Sequence, residues 1–169
     1  PRDRPVVAFE IGCFEGRTTN LLVEYFASSH PASRVFCFDV WEDGFVEDKA
    51  PIYVNQLQRF FTNTHAHRKQ IVAIRGSSQE TLFYIHPQLL ADFIYIDGDH
   101  HKDAVYQDAV LAWPHLRVGG TLLFDDYGGG DPAFPDFFPS IGIDRFLNEY
   151  EGQYRIVQWA YQVAIVRTQ

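Results

Sequence analysis

The chain has 169 residues, a formal net charge of −8, a hydrophobic fraction of 46% and two cysteines. This length predicts one domain over residues 1–169 with a sizeable buried core, and the composition excludes a disordered chain. The negative charge disfavours nucleic acid and anionic membrane surfaces as partners, and no apolar run is long enough to cross a bilayer.

The first half of the chain alternates apolar, strand-like runs with segments of helical spacing. In the first helical segment, apolar residues recur from Leu21 to Phe26, and Thr18 or Thr19 is placed to cap the helix. We expect strands at residues 6–11, 34–40 and 70–74, and helices at residues 17–26, 52–63 and 79–85.

The second half continues the alternation. A strand at 92–96 is followed by a helix whose buried face is formed by Val105, Ala109, Val110 and Trp113. The pair Gly119-Gly120 marks a break before a strand at 121–124. A glycine- and phenylalanine-rich loop over 125–139 precedes a helix at 141–150, and residues 154–166 form two strands with a joint near Trp159.

Strands that alternate with helices predict an α/β fold with a mainly parallel sheet and an antiparallel closing pair of strands. In such sheets, ligands bind beyond the carboxyl ends of the strands, where the strand order reverses. The residues that directly follow each strand are therefore the candidates for function.

The first two strands are followed by a glycine turn and an acid. The turn is an ExGxxxG pattern of Glu10, Gly12 and Gly16, looser than the GxGxxG of dinucleotide sites. Asp39 follows the second strand at about the spacing from the glycines at which a carboxylate accepts hydrogen bonds from ribose hydroxyls. An ordinary turn and a solvated acid would explain each feature alone, but together they favour a nucleoside ligand.

Ser77 and Ser78 follow the third strand. Their hydroxyls could contact the edge of an adenine. Capping of the next helix is an equally good explanation, because serine is a preferred residue at that position.

Three aspartates follow the fourth and fifth strands. If those strands are neighbours, Asp97, Asp125 and Asp126 converge at one rim, where they repel each other unless a cation or shared protons intervene. Three hard oxygen ligands suit Mg²⁺ or a similar divalent cation. Helix capping by Asp97 and Asp99, with a turn at Asp126, is the alternative.

Asp99 and His100 lie beside these acids and are the candidate catalytic bases. A histidine has an ordinary pKa close to neutrality, which suits removal of a hydroxyl proton. We interpret the adjacent His101 as a solvent-facing residue at the start of a helix.

The segments EIGCFEGRTT, FCFDVWED, IRGSSQETL and FIYIDGDHHKDAVYQDAVLAWPHLRVGGTLLFDDY resemble class I S-adenosylmethionine-dependent methyltransferases. The chain looks most like the branch of macrocin-type and aminocoumarin sugar O-methyltransferases. The resemblance covers nearly the whole chain, and its most specific part is residues 92–127.

The resemblance implies a Rossmann-like, seven-stranded, mostly parallel sheet with an antiparallel last strand and helices on both faces. It implies S-adenosylmethionine as cofactor, bordered by Glu10, Gly12 and Gly16, with Asp39 on the ribose hydroxyls. The remaining implied contacts are Ser77 and Ser78 near the adenine, Asp97 beside the cofactor, and Asp97, Asp125 and Asp126 on Mg²⁺. The sugar enzymes place their base at the position of Asp99, and catechol-type relatives place a lysine at that of His100.

The sequence thus predicts a methyltransferase that uses a divalent cation to methylate a hydroxyl of a small molecule. Alternatives are a metal-free methyltransferase of the same fold, an NAD-dependent oxidoreductase and a non-catalytic cofactor-binding module. The low cysteine count favours a cytoplasmic protein, and the lack of any methionine indicates a piece of a longer chain. The family's usual N-terminal helices are missing from this sequence, and the oligomeric state stays open.

Overall fold

A computed structural model of the chain describes residues 4–42 and 54–169. Their strands make one seven-stranded sheet in the order β3-β2-β1-β4-β5-β7-β6. The strands are β1 (Val7–Ile11), β2 (Arg34–Asp39), β3 (Ile71–Arg75), β4 (Ala91–Ile96), β5 (Leu116–Phe124), β6 (Tyr154–Trp159) and β7 (Val163–Arg167).

Within the described residues, five α-helices lie between these strands: α1 (Arg17–Leu22), α2 (Gln56–Asn63), α3 (Ser78–Phe83), α4 (Lys102–Ala112) and α5 (Pro139–Glu149). A π-helical turn over Val23–Ala27 extends α1, and short 3₁₀ turns follow α2 and α4. Within the described residues, no helix combines the length and apolar character needed to cross a membrane.

Strand direction confirms the predicted fold class. β1 to β5 pair in parallel, and β7 pairs antiparallel with both β5 and β6. The last strand is therefore antiparallel, as expected, but it lies inside the sheet and β6 forms the edge. Strand order reverses between β1 and β4, where a ligand crevice is expected.

Two hydrophobic clusters cover the two faces of the sheet. Along β1, Ala8 belongs to one cluster and Phe9 to the other, because successive side chains of a strand point to opposite faces. One cluster contains residues of α4 and α5, including Phe146, and the other contains residues of α2, including Phe60. Helices thus lie on both faces, and the core extends to Ile11, Ile96 and Phe124, the last residues of β1, β4 and β5.

The first helix differs from its prediction in face and cap. Leu21 and Tyr25 are 45% and 75% exposed, whereas Thr19 and Leu22 are buried. Because the helical period places residues 19, 22, 23, 26 and 27 together, a polar threonine belongs to the inward face. Gly16, with φ +85°, precedes the helix without a side-chain cap, so the prediction of a Thr18 or Thr19 cap was wrong.

The fifth strand is longer than predicted. Gly119 and Gly120 lie inside β5, and the pairing with β4 shifts register between Ala91 and Phe93. The glycines therefore form a bulge, with Gly119 at φ +83°, and do not end an element. The remaining predicted elements match in type, with α2 beginning at Gln56; the start predicted for it at residue 52 lies outside the described residues.

Candidate functional site

Sheet register brings the candidate residues to one edge. Ile11 pairs with Ile96, and Ile96 pairs with Phe124, so the residues that follow β1, β4 and β5 lie side by side. The amide of Asp97 donates to the carbonyl of Ile11 at 2.8 Å, and the amide of Asp125 donates to that of Ile96 at 3.0 Å. The glycine turn and the acidic rim therefore share one edge, at the point where the strand order reverses.

Both glycines of the first turn permit close packing of the chain on itself. A Cβ on Gly12, which has φ +83°, would lie 2.0 Å from the carbonyl oxygen of Asp97. A Cβ on Gly16 would lie 2.4 Å from Cγ2 of Thr64. Only glycine fits at either position. In this structure the space that a Cβ would fill is taken by other parts of the protein, Asp97 at Gly12 and Thr64 at Gly16.

Asp39 binds the glycine turn directly. Its Oδ2 accepts hydrogen bonds from the amides of Cys13 at 2.7 Å and Phe14 at 2.8 Å. Its Oδ1 accepts from the amide of Trp41 at 2.7 Å. Each carboxylate oxygen offers two lone pairs, so Oδ1 keeps acceptor capacity for a ligand hydroxyl. The structure thus brings Asp39 and the Gly12 turn together, which a shared nucleoside site requires.

The Glu10 side chain is buried, unlike that of Asp39. It is 0% exposed and accepts a hydrogen bond from the hydroxyl of Thr19 on α1. Burial raises the pKa of Glu10 to about 8, so the carboxyl is mainly protonated at neutral pH. Cys37 and Cys13 surround it, and burial raises the pKa of both thiols. Oε2 of Glu10 binds Thr19, and Oε1 is buried without a hydrogen-bond partner among the described residues.

The two serines after β3 play different structural roles. Ser77 precedes α3, and its Oγ accepts a hydrogen bond from the amide of Glu80 at 3.3 Å. The hydroxyl of Ser78 donates to Asp108 of α4, a carboxyl that is 2% exposed. Burial raises the pKa of Asp108 to about 7. Ser77 is thus the helix cap, and Ser78 links the end of β3 to α4.

Tyr95 joins the first two rim aspartates. Its hydroxyl donates to Oδ2 of Asp125. The hydroxyl oxygen of Tyr95 also lies 3.2 Å from Oδ2 of Asp97. Oδ1 of Asp125 accepts from the amide of Asp126 at 2.8 Å and from Nε2 of Gln162 at 3.0 Å. Both oxygens of Asp125 therefore have protein donors.

His100 and Tyr161 hold the third rim aspartate. Nε2 of His100 lies 2.8 Å from Oδ2 of Asp126 and 3.7 Å from Oδ1 of Asp97. The hydroxyl of Tyr161 donates to Oδ1 of Asp126 at 2.6 Å. The predicted convergence of the three carboxylates is present, and tyrosine, glutamine and histidine donors lie among them.

The electrostatics of the rim follow from this crowding. The pKa of Asp97 is raised, first by burial and then by the charges of Asp125 and Asp126. Hydrogen bonding to Asp97 and the charge of Asp126 raise the pKa of His100 above its ordinary value. The protonated form of His100 is therefore favoured relative to a free imidazole, because its charge offsets part of the negative charge of the rim.

The two candidate bases have different surroundings. Oδ1 of Asp99 accepts the amide of His101 at 2.9 Å, and Asp99 is exposed at the start of the α4 region. His100 is engaged with two rim carboxylates. His101 caps α4, with Nδ1 accepting from the amide of Asp103 at 3.3 Å, which agrees with its predicted helix-start position.

Two rim aspartates and His100 have the spacing of a candidate cation site, and Asp125 is not part of this group. One ligand atom each from Asp97, His100 and Asp126 lie within 4.8 Å of one another. Ligands about 2.1 Å from a common Mg²⁺ are about 3–4 Å apart, so this spacing lies near a coordination shell. These side chains are partly exposed, at 29%, 50% and 26% respectively, so an ion and its waters have access.

Sequence reasoning did not identify Tyr95, Tyr161, Gln162 and Asp108. Tyr95 precedes Asp97 by two residues, a spacing that puts both side chains on one side of β4, so its position could have been inferred. Tyr161 and Gln162 reach the rim only because β7 pairs antiparallel with β5. No local pattern in the sequence signals that contact.

Comparison with known proteins gives one family and one fold. A family model described as a methyltransferase domain matches residues 9–127. No curated protein matches the chain significantly in sequence.

Solved methyltransferase structures share the fold over nearly the whole chain. A proposed rRNA methylase from Clostridium thermocellum is 16% identical with a TM-score of 0.73, over 97% of this chain and 87% of that one. The O-methyltransferase TomG from Streptomyces achromogenes, solved with S-adenosylmethionine, is 21% identical with a TM-score of 0.67, over 96% and 73%. CalS11, a TDP-rhamnose 3′-O-methyltransferase of calicheamicin biosynthesis, is 21% identical with a TM-score of 0.63, over 98% and 73%.

Proposed function

We propose that this chain, which belongs to the methyltransferase-domain family whose model matches residues 9–127, uses S-adenosylmethionine to methylate a hydroxyl group of a small molecule. The observation that carries the proposal is the common edge of the Asp39-bound glycine turn and the acidic rim. A cofactor site and an acceptor site must be adjacent for direct methyl transfer.

The cofactor half of the site is the turn after β1 with Asp39. Oδ1 of Asp39 has capacity to accept a ribose hydroxyl, and its bonds to the turn amides keep the carboxylate in place. Ser77 and Ser78, at the end of β3, border the adenine side in this proposal. Gly12 and Gly16 allow the turn to pack tightly against neighbouring residues, and the buried Glu10 side chain supports the turn without contacting the cofactor in this proposal.

The reaction is an in-line displacement at the sulfonium methyl group. The acceptor oxygen forms the new bond to carbon, the carbon–sulfur bond breaks, and its electron pair remains on the sulfur of S-adenosylhomocysteine. The acceptor must lose its hydroxyl proton during this step. The protein therefore needs a proton acceptor and stabilisation of a developing oxyanion.

Asp97, Asp125 and Asp126 are the residues proposed to hold a divalent cation, Mg²⁺ or a similar ion. Such an ion lowers the pKa of a bound hydroxyl. Asp97 lies at the junction of the two halves, since its backbone contacts Gly12 and its carboxyl faces the rim.

Asp99 and His100 are the proposed bases. Asp99 is exposed and has one oxygen beyond its bond to His101. His100 accepts a proton only when neutral, so its raised pKa moves any role as base to higher pH. Measuring the turnover of Asp99→Asn and His100→Gln over a pH series shows which residue removes the hydroxyl proton. The variant that loses activity at all pH values lacks the base.

A sugar or another natural-product alcohol is the proposed acceptor class. CalS11 methylates TDP-rhamnose according to its name, and the present chain shares its fold. The net charge of −8 argues against a nucleic acid acceptor, although the Clostridium structure is described as an rRNA methylase.

A direct test is transfer of a labelled methyl group from S-adenosylmethionine to a panel of sugar and phenolic alcohols. We expect product with one or more acceptors, and at least about a hundredfold loss on chelation that Mg²⁺ or Mn²⁺ reverses. Asp125→Ala should show the same loss without chelator. Full activity of Asp125→Ala in excess chelator would contradict the cation role.

A metal-free methyltransferase is the second candidate. The donors from Tyr95, Gln162 and Tyr161 favour it, since they relieve repulsion among the carboxylates without an ion. Transfer that is insensitive to chelator would identify this form.

A further inference from the structure

The turn between β6 and β7 lies at the same edge of the sheet as the acidic rim. β7 begins at Val163, which pairs with Phe124, the last residue of β5. The turn is therefore beside the residues that follow β5. Its central residue, Tyr161, donates a hydrogen bond from its hydroxyl to Oδ1 of Asp126 at 2.6 Å. An aromatic ring from the far end of the chain thus stands directly next to the rim.

The ring of Tyr161 is held in place and still accessible, since the residue is 57% exposed. The ring lies along Gly128 and Gly129. A Cβ on Gly128 would be 2.8 Å from Cδ2 of the ring, and one on Gly129 would be 3.5 Å from the hydroxyl oxygen. The amide of Gly128 also donates to the carbonyl of Tyr161 at 3.1 Å. An ordered aromatic surface that remains open beside polar groups is typical of small-molecule sites.

Strand order places Tyr161 on the acceptor side of the rim. In the order β2-β1-β4-β5-β7, the cofactor half lies at β1 and β2, the rim lies at β4 and β5, and the turn lies at β7. Neighbouring strands are about 4.8 Å apart, so the turn is about 14 Å from the end of β1. In an in-line displacement the acceptor approaches the methyl carbon from the side opposite to sulfur. The body of the acceptor therefore extends away from the cofactor, over β5 and β7.

The polar groups around Tyr161 favour a sugar ring as its ligand. The two carboxylate oxygens of Asp126 contact Tyr161 and His100, and each oxygen keeps a second lone pair. Asp99 has one oxygen beyond its bond to the amide of His101. A pyranose offers several hydroxyls to such acceptors and an apolar C–H face to an aromatic ring. A phenol offers a similar face but fewer hydroxyls.

We propose that Tyr161 is an acceptor-binding residue, whose exposed ring stacks against a sugar ring of the acceptor while the hydroxyl to be methylated lies at the rim. This inference rests on the proposed function, because it assigns the acceptor side of that site. Tyr161 binds the acceptor and takes no part in the transfer of the methyl group or the proton. Its bond to Asp126 keeps the ring at the rim, and Gly128 and Gly129 leave the room that the ring needs.

The test is saturation-transfer NMR on the whole chain saturated with S-adenosylhomocysteine, with a panel of methyl pyranosides and with catechol as probes. We expect at least one pyranoside to bind, with saturation reaching its ring protons. Tyr161→Leu removes the flat ring and should weaken that binding about tenfold. Tyr161→Phe keeps the ring and loses the bond to Asp126, so its affinity should stay within about threefold of that of the unaltered protein.

The matched control is Tyr84→Leu. Tyr84 follows α3, in the half of the sheet opposite to β7, and is 82% exposed. The variant therefore loses an accessible ring away from the rim, and its affinity for the pyranoside should not change. An equal loss in Tyr84→Leu and Tyr161→Leu would overturn the assignment, and so would unchanged affinity in Tyr161→Leu.

The other outcomes separate this inference from the proposed function. Binding of catechol but of no pyranoside overturns the sugar ring as ligand and leaves the methyltransferase proposal intact. Absence of binding by every probe, with S-adenosylhomocysteine bound, overturns the role of Tyr161 in the same way. Failure of the unaltered protein to bind S-adenosylhomocysteine, measured by calorimetry, contradicts the proposed function itself. In turnover with a pyranoside that binds, Tyr161→Leu should raise KM and leave kcat unchanged.

Discussion

The ends of β1 and β2 and the ends of β4 and β5 meet at one edge but are organised differently. At the first, a single carboxylate, Asp39, binds three backbone amides of nearby turns. At the second, Asp97 contacts Tyr95 and His100, which are its near neighbours in the sequence. Asp125 and Asp126 accept from the side chains of Tyr95, Gln162 and Tyr161, which lie 30, 37 and 35 residues away. Backbone donors hold the acid of the first region, and mainly side-chain donors hold the acids of the second.

This contrast implies different sensitivities to substitution. The glycine turn depends on close approach of backbones, so changes there should damage the fold as well as the cofactor site. The rim depends on removable hydroxyls, amides and an imidazole, so changes there should alter ion affinity and catalysis with smaller losses of stability. The predictions below test the first half of this contrast and the buried acids around it, from the largest expected effect to the smallest.

Gly12→Ala should cause the largest loss. The new Cβ would lie 2.0 Å from the carbonyl oxygen of Asp97, and φ is +83°. We expect a loss of at least about 3 kcal/mol in the free energy of unfolding, measured by urea denaturation. Gly119→Ala is the control, because Gly119 has the same φ of +83° with nothing within 4 Å of the added atom. Equal losses in the two variants would exclude close packing as the cause.

Asp39→Ala should cause the next largest effect. The amides of Cys13, Phe14 and Trp41 lose their acceptor. An unpaired amide costs about 1–3 kcal/mol when fully buried, and these partly buried or exposed amides should each cost less. We expect faster hydrogen exchange at these amides and a lower melting temperature. Asp39→Asn keeps one acceptor oxygen and should be affected less. Unchanged exchange at the amides of residues 13 and 14 in the alanine variant would argue against this description of the turn.

The buried carboxyl of Glu10 should make the free energy of unfolding depend on pH. Its pKa is about 8 in the folded protein, raised first by burial, against about 4.3 in an unfolded chain. The folded state therefore binds the extra proton between these values, and stability should fall as pH rises from about 4.3 to about 8. The contribution is about 1.4 kcal/mol per pKa unit of difference.

Glu10→Gln removes this titration and should flatten the pH profile of the free energy of unfolding. Glu24→Gln is the control, since the Glu24 side chain is 57% exposed. A profile for Glu10→Gln that falls as steeply as that of the unaltered protein would show that another group is responsible.

Ser78→Ala should have the smallest effect. The buried carboxyl of Asp108 loses the hydroxyl that donates to it, which should raise its pKa further and cost about 1 kcal/mol of stability near pH 8. The cost should shrink below pH 6, where Asp108 is protonated in both proteins. Thermal melts at the two pH values measure this, and a cost that does not depend on pH would contradict the Ser78–Asp108 interaction.

The sequence allowed most of the fold and the first region to be predicted, because their signals are local. Apolar runs indicated where the strands lie. The spacing from Gly16 to Asp39 indicated that the glycine turn and Asp39 would lie close together.

The inward face of α1 was predicted only in part: Leu22 and Phe26 pack on the core as expected, but Leu21 and Tyr25 are exposed. Thr19 faces inward to bind Glu10, whereas propensity places threonine outside. A specific hydrogen-bond partner, here Glu10, thus outweighs the average tendency of threonine to lie at the surface.

The donors of the rim could not be predicted in the same way. The positions of Asp97, Asp125 and Asp126 after two neighbouring strands correctly predicted that they converge, but their hydrogen-bond partners depend on which other strands pair. Gln162 reaches Asp125 from the start of β7, 37 residues further along the chain. Only the three-dimensional pairing of β5 with β7 shows that protein donors separate the acids.

Calorimetric titration of the folded chain with S-adenosylhomocysteine, and separately with NAD, tests the central claim most directly. The account predicts saturable binding of one S-adenosylhomocysteine per chain, at least tenfold weaker in Asp39→Asn, and no measurable binding of NAD. Binding of NAD without binding of S-adenosylhomocysteine would contradict it, because the Gly12 turn and Asp39 would then serve a different nucleotide.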